Sequence, residues 1–173
     1  MTQLIFFSQD IKRMLGKYKV RVLTVWLSRV FWGILAYRIE RGLYLLLPKS
    51  YKFVRVPFIP ILNLIRMYSN LDIPYKANIL GGLIVLHPSI GVVISGQVTI
   101  GKNLTLTGGN VIGSKKSSKK GEFVIGDNCS FGANSTLIGP IIIGNNITIG
   151  SLACVVKNCI SDNLTLVGVP AKE

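Results

Sequence analysis

The chain has 173 residues, enough for one domain and a short additional segment. It carries 20 Lys and Arg against 7 Asp and Glu, a net charge of +13, and 49% of its residues are hydrophobic. This apolar content excludes an intrinsically disordered chain. Three unevenly spaced cysteines exclude a disulfide-stapled scaffold and point to a reducing compartment.

The two parts of the sequence differ in charge and composition. Residues 1–76 hold 13 Lys and Arg and 3 acids, a charge of +10, whereas residues 77–173 hold 7 and 4, a charge of +3. Fifteen of the 18 glycines follow residue 76. We therefore predict two regions, a segment over residues 1–70 and a domain over residues 71–173.

The first region is predicted to be α-helical. Residues 22–47 are rich in Leu, Trp, Tyr and Arg and contain no proline, and Pro48 follows them. A second helix is predicted over residues 59–68. Charged residues interrupt the longer stretch, so it lacks the run of roughly 18 apolar residues that a spanning helix needs.

The basic, aromatic-rich helices leave two interpretations open. They can lie in a membrane interface, or they can pack on a neighbouring subunit with their arginines in solvent. The first residues contain no recognisable export signal. We therefore expect a cytoplasmic protein, with the helices as a peripheral contact to the inner face of the membrane or as an oligomerisation segment.

A six-residue period runs through the second region. Apolar residues recur at this spacing, at Ile125, Phe131, Leu137, Ile143, Ile149 and Val155, after an earlier run of Ile100, Leu106 and Ile112. The fifth position of the repeat tends to be small, as at Cys129, Ser135, Ala153 and Cys159. A period of six fits a short strand followed by a turn, and three such units close one triangular coil of a solenoid.

The turns between these strands are predicted to need a positive φ. Asparagine and glycine tolerate that conformation best. The turn asparagines are Asn103, Asn128, Asn145 and Asn146.

The period breaks between Ile112 and Ile125, which are thirteen residues apart. The intervening residues 113–123, GSKKSSKKGEF, hold four lysines that cannot line the interior of a coil. We predict an excursion loop here. Functional residues often lie on such loops, and Lys115, Lys116 and Glu122 are the candidates for binding a substrate.

The repeats resemble those of the hexapeptide-repeat acyltransferases. The resemblance covers about residues 70–172 and includes VIGDNCSFGANSTLIG at 124–139 and VGVPAK at 167–172. Within that family the sequence is most similar to serine acetyltransferases and the related polysaccharide O-acetyltransferases. The resemblance implies a mainly β fold, a left-handed parallel β-helix preceded by an α-helical segment. It also implies acetyl-CoA as co-substrate, no metal, and a homotrimer or a dimer of trimers.

The chain has one histidine, His87, in the sequence VLHPSIG. A single histidine excludes a metal site built from several histidines. Residues 71–87, LDIPYKANILGGLIVLH, resemble a stretch of the serine acetyltransferases in which an aspartate and a histidine form a catalytic dyad. The resemblance implies that His87 acts as general base and Asp72 as its orienter. A neutral imidazole can take the proton of a hydroxyl, and a carboxylate can fix its tautomer.

The resemblance also implies a donor site in a groove between neighbouring β-helices. The candidate residues for binding acetyl-CoA are Gly113, Ser114, Gly132, Ala133, Ser151, Ala153, Lys157 and Lys172. The two lysines are placed to meet nucleotide phosphates. Gly113 or Ser114 is the candidate backbone donor to the oxyanion of the tetrahedral intermediate.

Two departures from the serine acetyltransferases bear on the acceptor. Those enzymes carry an acidic residue where this chain has Leu86, and a second histidine where the nearest residue here is Glu122. We therefore expect a sugar hydroxyl of a surface polysaccharide or its precursor as acceptor. Serine and a non-catalytic assembly module are the alternatives. No nucleic-acid-binding motif accompanies the positive charge, so nucleic acid is not expected as a partner.

Overall fold

The computed structural model describes residues 2–17, 19–117, 119 and 121–172. Short 3-10 turns at Lys19–Arg21, Val56–Phe58 and Pro88–Ile90 join longer elements. In the described residues the α-helices are α1 (Thr2–Leu15), α2 (Val22–Trp26), α3 (Arg29–Leu46), α4 (Tyr51–Val54) and α5 (Ile59–Ser69).

Short strands follow from residue 71 onward. They are β1 (Leu71–Asp72), β2 (Asn78–Ile79), β3 (Ile84–Val85), β4 (Val92–Ile94), β5 (Thr99–Ile100), β6 (Thr105–Leu106), β7 (Asn110–Ser114), β8 (Val124–Ile125), β9 (Ser130–Phe131), β10 (Thr136–Gly139), β11 (Ile142–Ile143), β12 (Thr148–Ile149), β13 (Cys154–Val155) and β14 (Thr165–Leu166). Successive strands belong to different sheets, which is the arrangement that a coil of short strands requires.

The strands form three parallel sheets. Sheet I has the order β1-β4-β7-β10-β13, sheet II the order β11-β8-β5-β2, and sheet III the order β14-β12-β9-β6-β3. Equivalent residues eighteen apart in sequence stack directly, as Ile125 does on Ile143 and Phe131 on Ile149. Three six-residue units therefore make one coil. The prediction of a parallel β-helix with a helical N-terminal segment is confirmed.

The repeated apolar residues form the interior of the coils. The nine residues of the six-residue period from Ile100 to Val155 are all buried, and so are the small residues of the fifth position. One hydrophobic core joins this interior to Val30, Ile34 and Tyr37 of α3. Because helices and coils share this core, the division of the chain into two domains at residue 70 stays a prediction.

The excursion loop is shorter than its predicted span of 113–123. Gly113 and Ser114 continue strand β7, where they pair with Ile138 and Gly139. Phe123 is buried in the core. The chain therefore leaves the coil only between residues 115 and 122, and within this loop Ser118 and Lys120 lie outside the described residues.

The helix predicted over residues 22–47 is interrupted at residues 27–28. The hydroxyl of Ser28 accepts a hydrogen bond from the Phe31 amide at 3.2 Å, and so caps a new helix, α3. A serine at this position satisfies an amide that would otherwise lack a partner in the first turn. The second predicted helix, at residues 59–68, is confirmed as α5.

Helices α1 and α3 cover the end of the β-helix that β1, β2 and β3 form. Gly33 allows α3 to approach the first coil, since a Cβ at this position would lie 2.7 Å from Leu71 Cδ1. The Tyr37 hydroxyl donates to the Ala77 carbonyl at 2.9 Å and accepts from the Ile79 amide. Burial raises the pKa of this hydroxyl. The helices thus supply hydrogen-bond partners to polar backbone groups at the open end of the first coil.

A buried ion pair between Asp10 and Arg38 joins these two helices to the first coil. The Asp10 carboxylate accepts from Arg38 at 2.8 and 3.1 Å and from the amides of Gly82 and Leu83 at 2.7 Å. Burial raises the pKa of the Asp10 carboxyl, and the bonds from Arg38 and the two amides oppose the rise. The guanidinium also donates to the Ile79 and Leu80 carbonyls.

Three arginines of the helical segment bind the backbone of the coils. Arg38 and Arg41 are both buried, and Arg41 donates to the Tyr75 and Lys76 carbonyls. Arg13 donates to the carbonyls of Gly82 and Leu104 from α1. The interpretation that the arginines of α3 lie in solvent is therefore wrong for Arg38 and Arg41, which donate to carbonyl groups of the first coil, whereas Arg29 is exposed. No helix in the described part of the chain is long and apolar enough to cross a bilayer.

A ladder of asparagines stabilises one corner of the coils. The side chain of Asn103 donates to Asn128, Asn128 to Asn146, and Asn146 to Asn163, at 2.9 to 3.1 Å. All four have a positive φ, between 55° and 61°. The prediction of a positive φ is thus confirmed for Asn103, Asn128 and Asn146 but wrong for Asn145. Asn145 instead donates to Asp162 and lowers the pKa of that carboxyl.

Replacing Asn128 by alanine is expected to lower the free energy of unfolding by about 1–2 kcal/mol. The variant loses two side-chain hydrogen bonds and forces an alanine into a positive φ. Asn128→Gly removes the same hydrogen bonds without the backbone strain, so its free energy of unfolding should fall by less. Chemical denaturation of the two variants measures the difference, and equal losses would contradict a role for φ.

Candidate active site

Asp72 and His87 lie at the first coil, beside sheet I. Asp72 ends strand β1 and pairs with Val93 of β4. His87 follows β3 at the corner where the chain turns from sheet III into sheet I. Both side chains are exposed. Neither a hydrogen bond nor an ion pair joins the Asp72 carboxylate to the His87 imidazole among the described residues, so their pairing as a dyad stays a prediction.

The connection that carries His87, between β3 and β4, has more residues than the equivalent connection of the next coil, between β6 and β7. Six residues lie between Val85 and Val92, whereas three lie between their register partners Leu106 and Asn110. The three additional residues form a 3-10 turn at Pro88–Ile90 directly after His87. His87 therefore stands on a protruding turn rather than on the flat side of the coil.

Three residues that follow strand β6 in the next coil support this turn. The His87 amide donates to the Thr107 carbonyl at 2.8 Å. A Cβ at Gly108 would overlap the His87 carbonyl oxygen, so only glycine fits beneath the histidine. The fully buried Asn110 accepts from the Gly108 amide and donates to Gly132 and Ser135. Asn110 thus fixes the coil on which the His87 turn rests.

Asn110 was not predicted as a functional or supporting residue. It occupies the fifth position of the repeat that begins at Leu106, where a small residue is expected. A larger, polar residue at that position is a signal of a buried hydrogen-bonding role. The sequence contains this signal, but Gly132 and Ser135, two of the partners of the side chain, lie in a turn of the next coil and cannot be identified from spacing.

A cavity of about 500 Å³ opens beside Asp72 on the outer side of sheet I. Its lining includes Asp72, Ile90, Val93 and Val111, and His87 is not among its residues. The lining of this cavity is mostly apolar, and its polar residues are Asp72, Arg66, Asn70 and Asn110. An apolar groove with few polar groups suits a ligand or the surface of another subunit.

Part of the candidate donor site lies on the same corner as His87. Backbone hydrogen bonds stack successive coils here: the Thr107 amide donates to the Phe131 carbonyl, the Gly132 amide to the Ile149 carbonyl, and the Gly150 amide to the Leu166 carbonyl. Gly132, Ala133 and Ser151 follow these strands on later coils. Successive coils are spaced by roughly 4.8 Å. These residues therefore form a row along one edge of the β-helix, and His87 lies at the start of that row.

The other candidates flank the opposite edge of sheet I. Gly113 and Ser114 end strand β7, and Lys115 continues the pairing by donating its amide to Gly139. Lys115 and Lys116 are exposed at the start of the excursion loop. Glu122 closes the loop by accepting from the Lys119 amide at 2.9 Å. The His87 corner and the loop thus lie on either side of the face of sheet I.

The last three candidates differ in exposure. Ala153 is buried inside the coil, and its amide and carbonyl are bonded to Gly150 and Thr136, so its side chain cannot touch a surface ligand. Lys157 and Lys172 are exposed on later coils. Nothing in the structure tests their assignment to CoA, which stays a prediction along with the rest of the donor site.

Two of the three cysteines, Cys129 and Cys159, are buried. Burial raises the pKa of the Cys129 thiol, which favours the unreactive protonated form. The described ranges contain no group of three or more His, Cys, Asp or Glu side chains that is arranged to hold a metal ion.

Comparisons with known proteins agree with this architecture. The family model described as the hexapeptide repeat of succinyl-transferase matches residues 123–151. No protein of curated function matches the sequence.

Similar solved structures are serine acetyltransferases. The Neisseria gonorrhoeae enzyme in complex with serine superimposes with a TM-score of 0.79 at 26% identity, over 99% of this chain and 68% of that one. A second structure of the same enzyme gives 0.79 at 28% identity, over 99% and 66%. The Brucella abortus enzyme in complex with coenzyme A gives 0.78 at 22%, over 98% and 66%, which establishes the fold alone. The chain spans about two thirds of the length of these proteins.

Proposed function

We propose that this chain, whose residues 123–151 match a hexapeptide-repeat family model and whose fold is similar to that of serine acetyltransferases, transfers the acetyl group of acetyl-CoA to a hydroxyl through His87. The observation that carries this proposal is the position of the single histidine. It is exposed on a protruding turn, at the start of the edge along which Gly132, Ala133 and Ser151 lie.

The chemistry needs one base and one place for the negative charge. The unprotonated nitrogen of His87 takes the proton of the acceptor hydroxyl while the hydroxyl oxygen attacks the thioester carbonyl. The C–S bond breaks, and the thiolate of CoA takes up a proton, so that an acetyl ester and free CoA are formed. The proposed donors to the oxyanion are the backbone amides of Gly113 or Ser114 from a neighbouring subunit, because within one chain these residues lie across sheet I from His87.

L-Serine is the first acceptor to test. The Neisseria gonorrhoeae enzyme, solved in complex with serine, matches 99% of this chain at 26% identity. That likeness extends over the helices as well as the coils, and it supports serine better than it supports any sugar.

A sugar hydroxyl is the second candidate, and one residue favours it. Leu86 stands directly before His87 and is 50% exposed. Serine acetyltransferases carry an acidic residue at this place, which can pair with the ammonium group of the amino acid. A leucine cannot form that pair, whereas an apolar side chain can pack against the ring of a sugar.

We also propose that the active unit is a homotrimer. Sheet I exposes Val93 on its outer side, beside the exposed Ile90 and the cavity at Asp72. An apolar surface of this kind is typical of an interface between subunits. In such an assembly the donor groove would lie between two β-helices, next to His87.

A panel of acceptors tests this function. The protein is incubated with acetyl-CoA and, separately, L-serine, nucleotide sugars or a lipid-linked glycan, and thiol release is measured. We expect release above the rate of acetyl-CoA hydrolysis with L-serine, or with a sugar if Leu86 excludes serine. No release with any acceptor, together with no CoA binding by calorimetry, would leave the non-catalytic assembly module as the function.

A further inference from the structure

The helical segment has one large exposed apolar surface. On α3 the outward residues Ile39, Leu43 and Leu46 follow one another at helical spacing, and Leu46 is 75% exposed. Val54, Phe58 and Ile61 lie beside them, on α4, the 3-10 turn after it and α5. We call these six residues the apolar face.

Two grooves make the apolar face continuous. A groove of about 430 Å³ between α1 and α3 is lined by Leu4, Ile39, Leu43 and Leu46. A second groove, of about 180 Å³, is lined by Ile39, Leu43, Val54, Phe58 and Ile61. Ile39 and Leu43 form the ridge that both grooves share. Monomeric soluble proteins rarely expose a contiguous apolar surface of this extent unless it binds something.

The charge around the apolar face has one sign. Between residues 2 and 71 the only acids in the sequence are Asp10 and Glu40, and both are buried. Glu40 is paired with Arg55 at 2.6 Å and with Arg66 at 3.1 Å. Lys49 and Lys52, by contrast, are exposed between α3 and α5, within three residues of Leu46 and Val54 in the sequence. The described helices therefore expose cations and no carboxylate.

We propose that the apolar face docks on an anionic lipid surface, with the helices lying in the bilayer interface. The apolar side chains enter the boundary between headgroups and acyl chains, and Lys49 and Lys52 bind lipid phosphates. A second copy of the chain fits this face less well. Two identical faces would bring cations together without a carboxylate to pair with them.

Sedimentation with lipid vesicles tests this docking on the full chain. The probes are vesicles of phosphatidylcholine alone and of phosphatidylcholine mixed with phosphatidylglycerol, at physiological and at high salt. We expect the protein to sediment with the mixed vesicles and to be released by high salt. Lys49→Glu/Lys52→Glu should weaken binding by about 25-fold or more, since each lysine near an anionic surface contributes roughly fivefold.

A matched pair of double variants separates lipid binding from self-association. Phe58→Ser/Ile61→Ser should abolish sedimentation, whereas Lys102→Glu/Ile160→Ser, on exposed residues of the β-helix, should leave it unchanged. Circular dichroism checks that both variants are folded, and light scattering gives their mass. The proposal is overturned if the wild-type protein ignores the mixed vesicles at physiological salt. It is also overturned if Phe58→Ser/Ile61→Ser dissociates an oligomer and leaves vesicle binding unchanged.

Discussion

Replacing His87 by alanine is expected to lower kcat/KM for acetyl transfer by about 1,000-fold, because general base catalysis contributes roughly 10²–10⁴. The fold should not change, since the imidazole is exposed and no described residue hydrogen-bonds it. Thiol release from acetyl-CoA measures the rate, and a thermal melt measures stability. Lys102→Ala, an exposed substitution elsewhere on the β-helix, is the matched control and should keep full activity.

The contribution of Asp72 follows from the same assay. If Asp72 orients His87, Asp72→Asn alone should lower the rate of acetyl transfer. Adding Asp72→Asn to His87→Ala should not lower the rate further, because the effects of residues that act as a unit are not additive. An Asp72→Asn variant with wild-type activity would remove Asp72 from the mechanism. A His87→Ala variant with wild-type activity would remove the mechanism itself.

Replacing Asp10 by alanine should destabilise the protein by about 4 kcal/mol. The substitution leaves the buried Arg38 guanidinium without its counter-ion and the Gly82 and Leu83 amides without an acceptor. Breaking a buried ion pair by removing one partner costs roughly 3–5 kcal/mol. For a chain of this size that corresponds to a fall in Tm of about 10 °C or more.

Two controls define the origin of that loss. Lys12→Ala, at an exposed position of the same helix, should change stability by less than about 0.5 kcal/mol. Asp10→Leu/Arg38→Met removes both charges. Its loss in free energy of unfolding should be smaller than the sum of the losses of the two single variants. Urea denaturation gives the free energies, and a loss of under ~1 kcal/mol for Asp10→Ala would contradict a structural role for the pair.

The β-helix could be predicted because its signal is local and repeated. Each six-residue unit needs only an apolar residue and a turn. The spacing of Ile125, Phe131 and Leu137 therefore predicts the coil without knowledge of which distant residues are in contact. The same logic located the excursion loop through the break in the period. Its exact ends were missed because strand pairing by Ser114 and burial of Phe123 depend on neighbouring coils.

The helical segment was harder to interpret because its polar contacts join distant residues. Arg38 reaches Ile79 and Leu80 across more than forty residues, and Asp10 reaches Gly82 across more than seventy. A sequence shows these residues as ordinary charges on helices. Only the packing of α1 and α3 on the first coil turns them into buried partners of the β-helix backbone.

In the candidate site, too, one residue could be identified from the sequence and its supporting contacts could not. His87 was identifiable as the one histidine at the start of the repeats, whereas the support from Gly108 and Asn110 comes from the next coil. The acceptor depends on side chains around Leu86 and on residues from a neighbouring subunit in the proposed trimer. For these reasons the type of reaction is easier to infer than its acceptor.

The most direct test of the account is to follow the acetyl group itself. The protein is given acetyl-CoA labelled in the acetyl carbons, with L-serine and a glycan acceptor in separate reactions, and the products are analysed by mass spectrometry. We predict a labelled O-acetyl ester in an amount equal to the CoA released, and none with His87→Ala. CoA release without a labelled ester, or an equal yield from His87→Ala, would contradict acetyl transfer to a hydroxyl through His87.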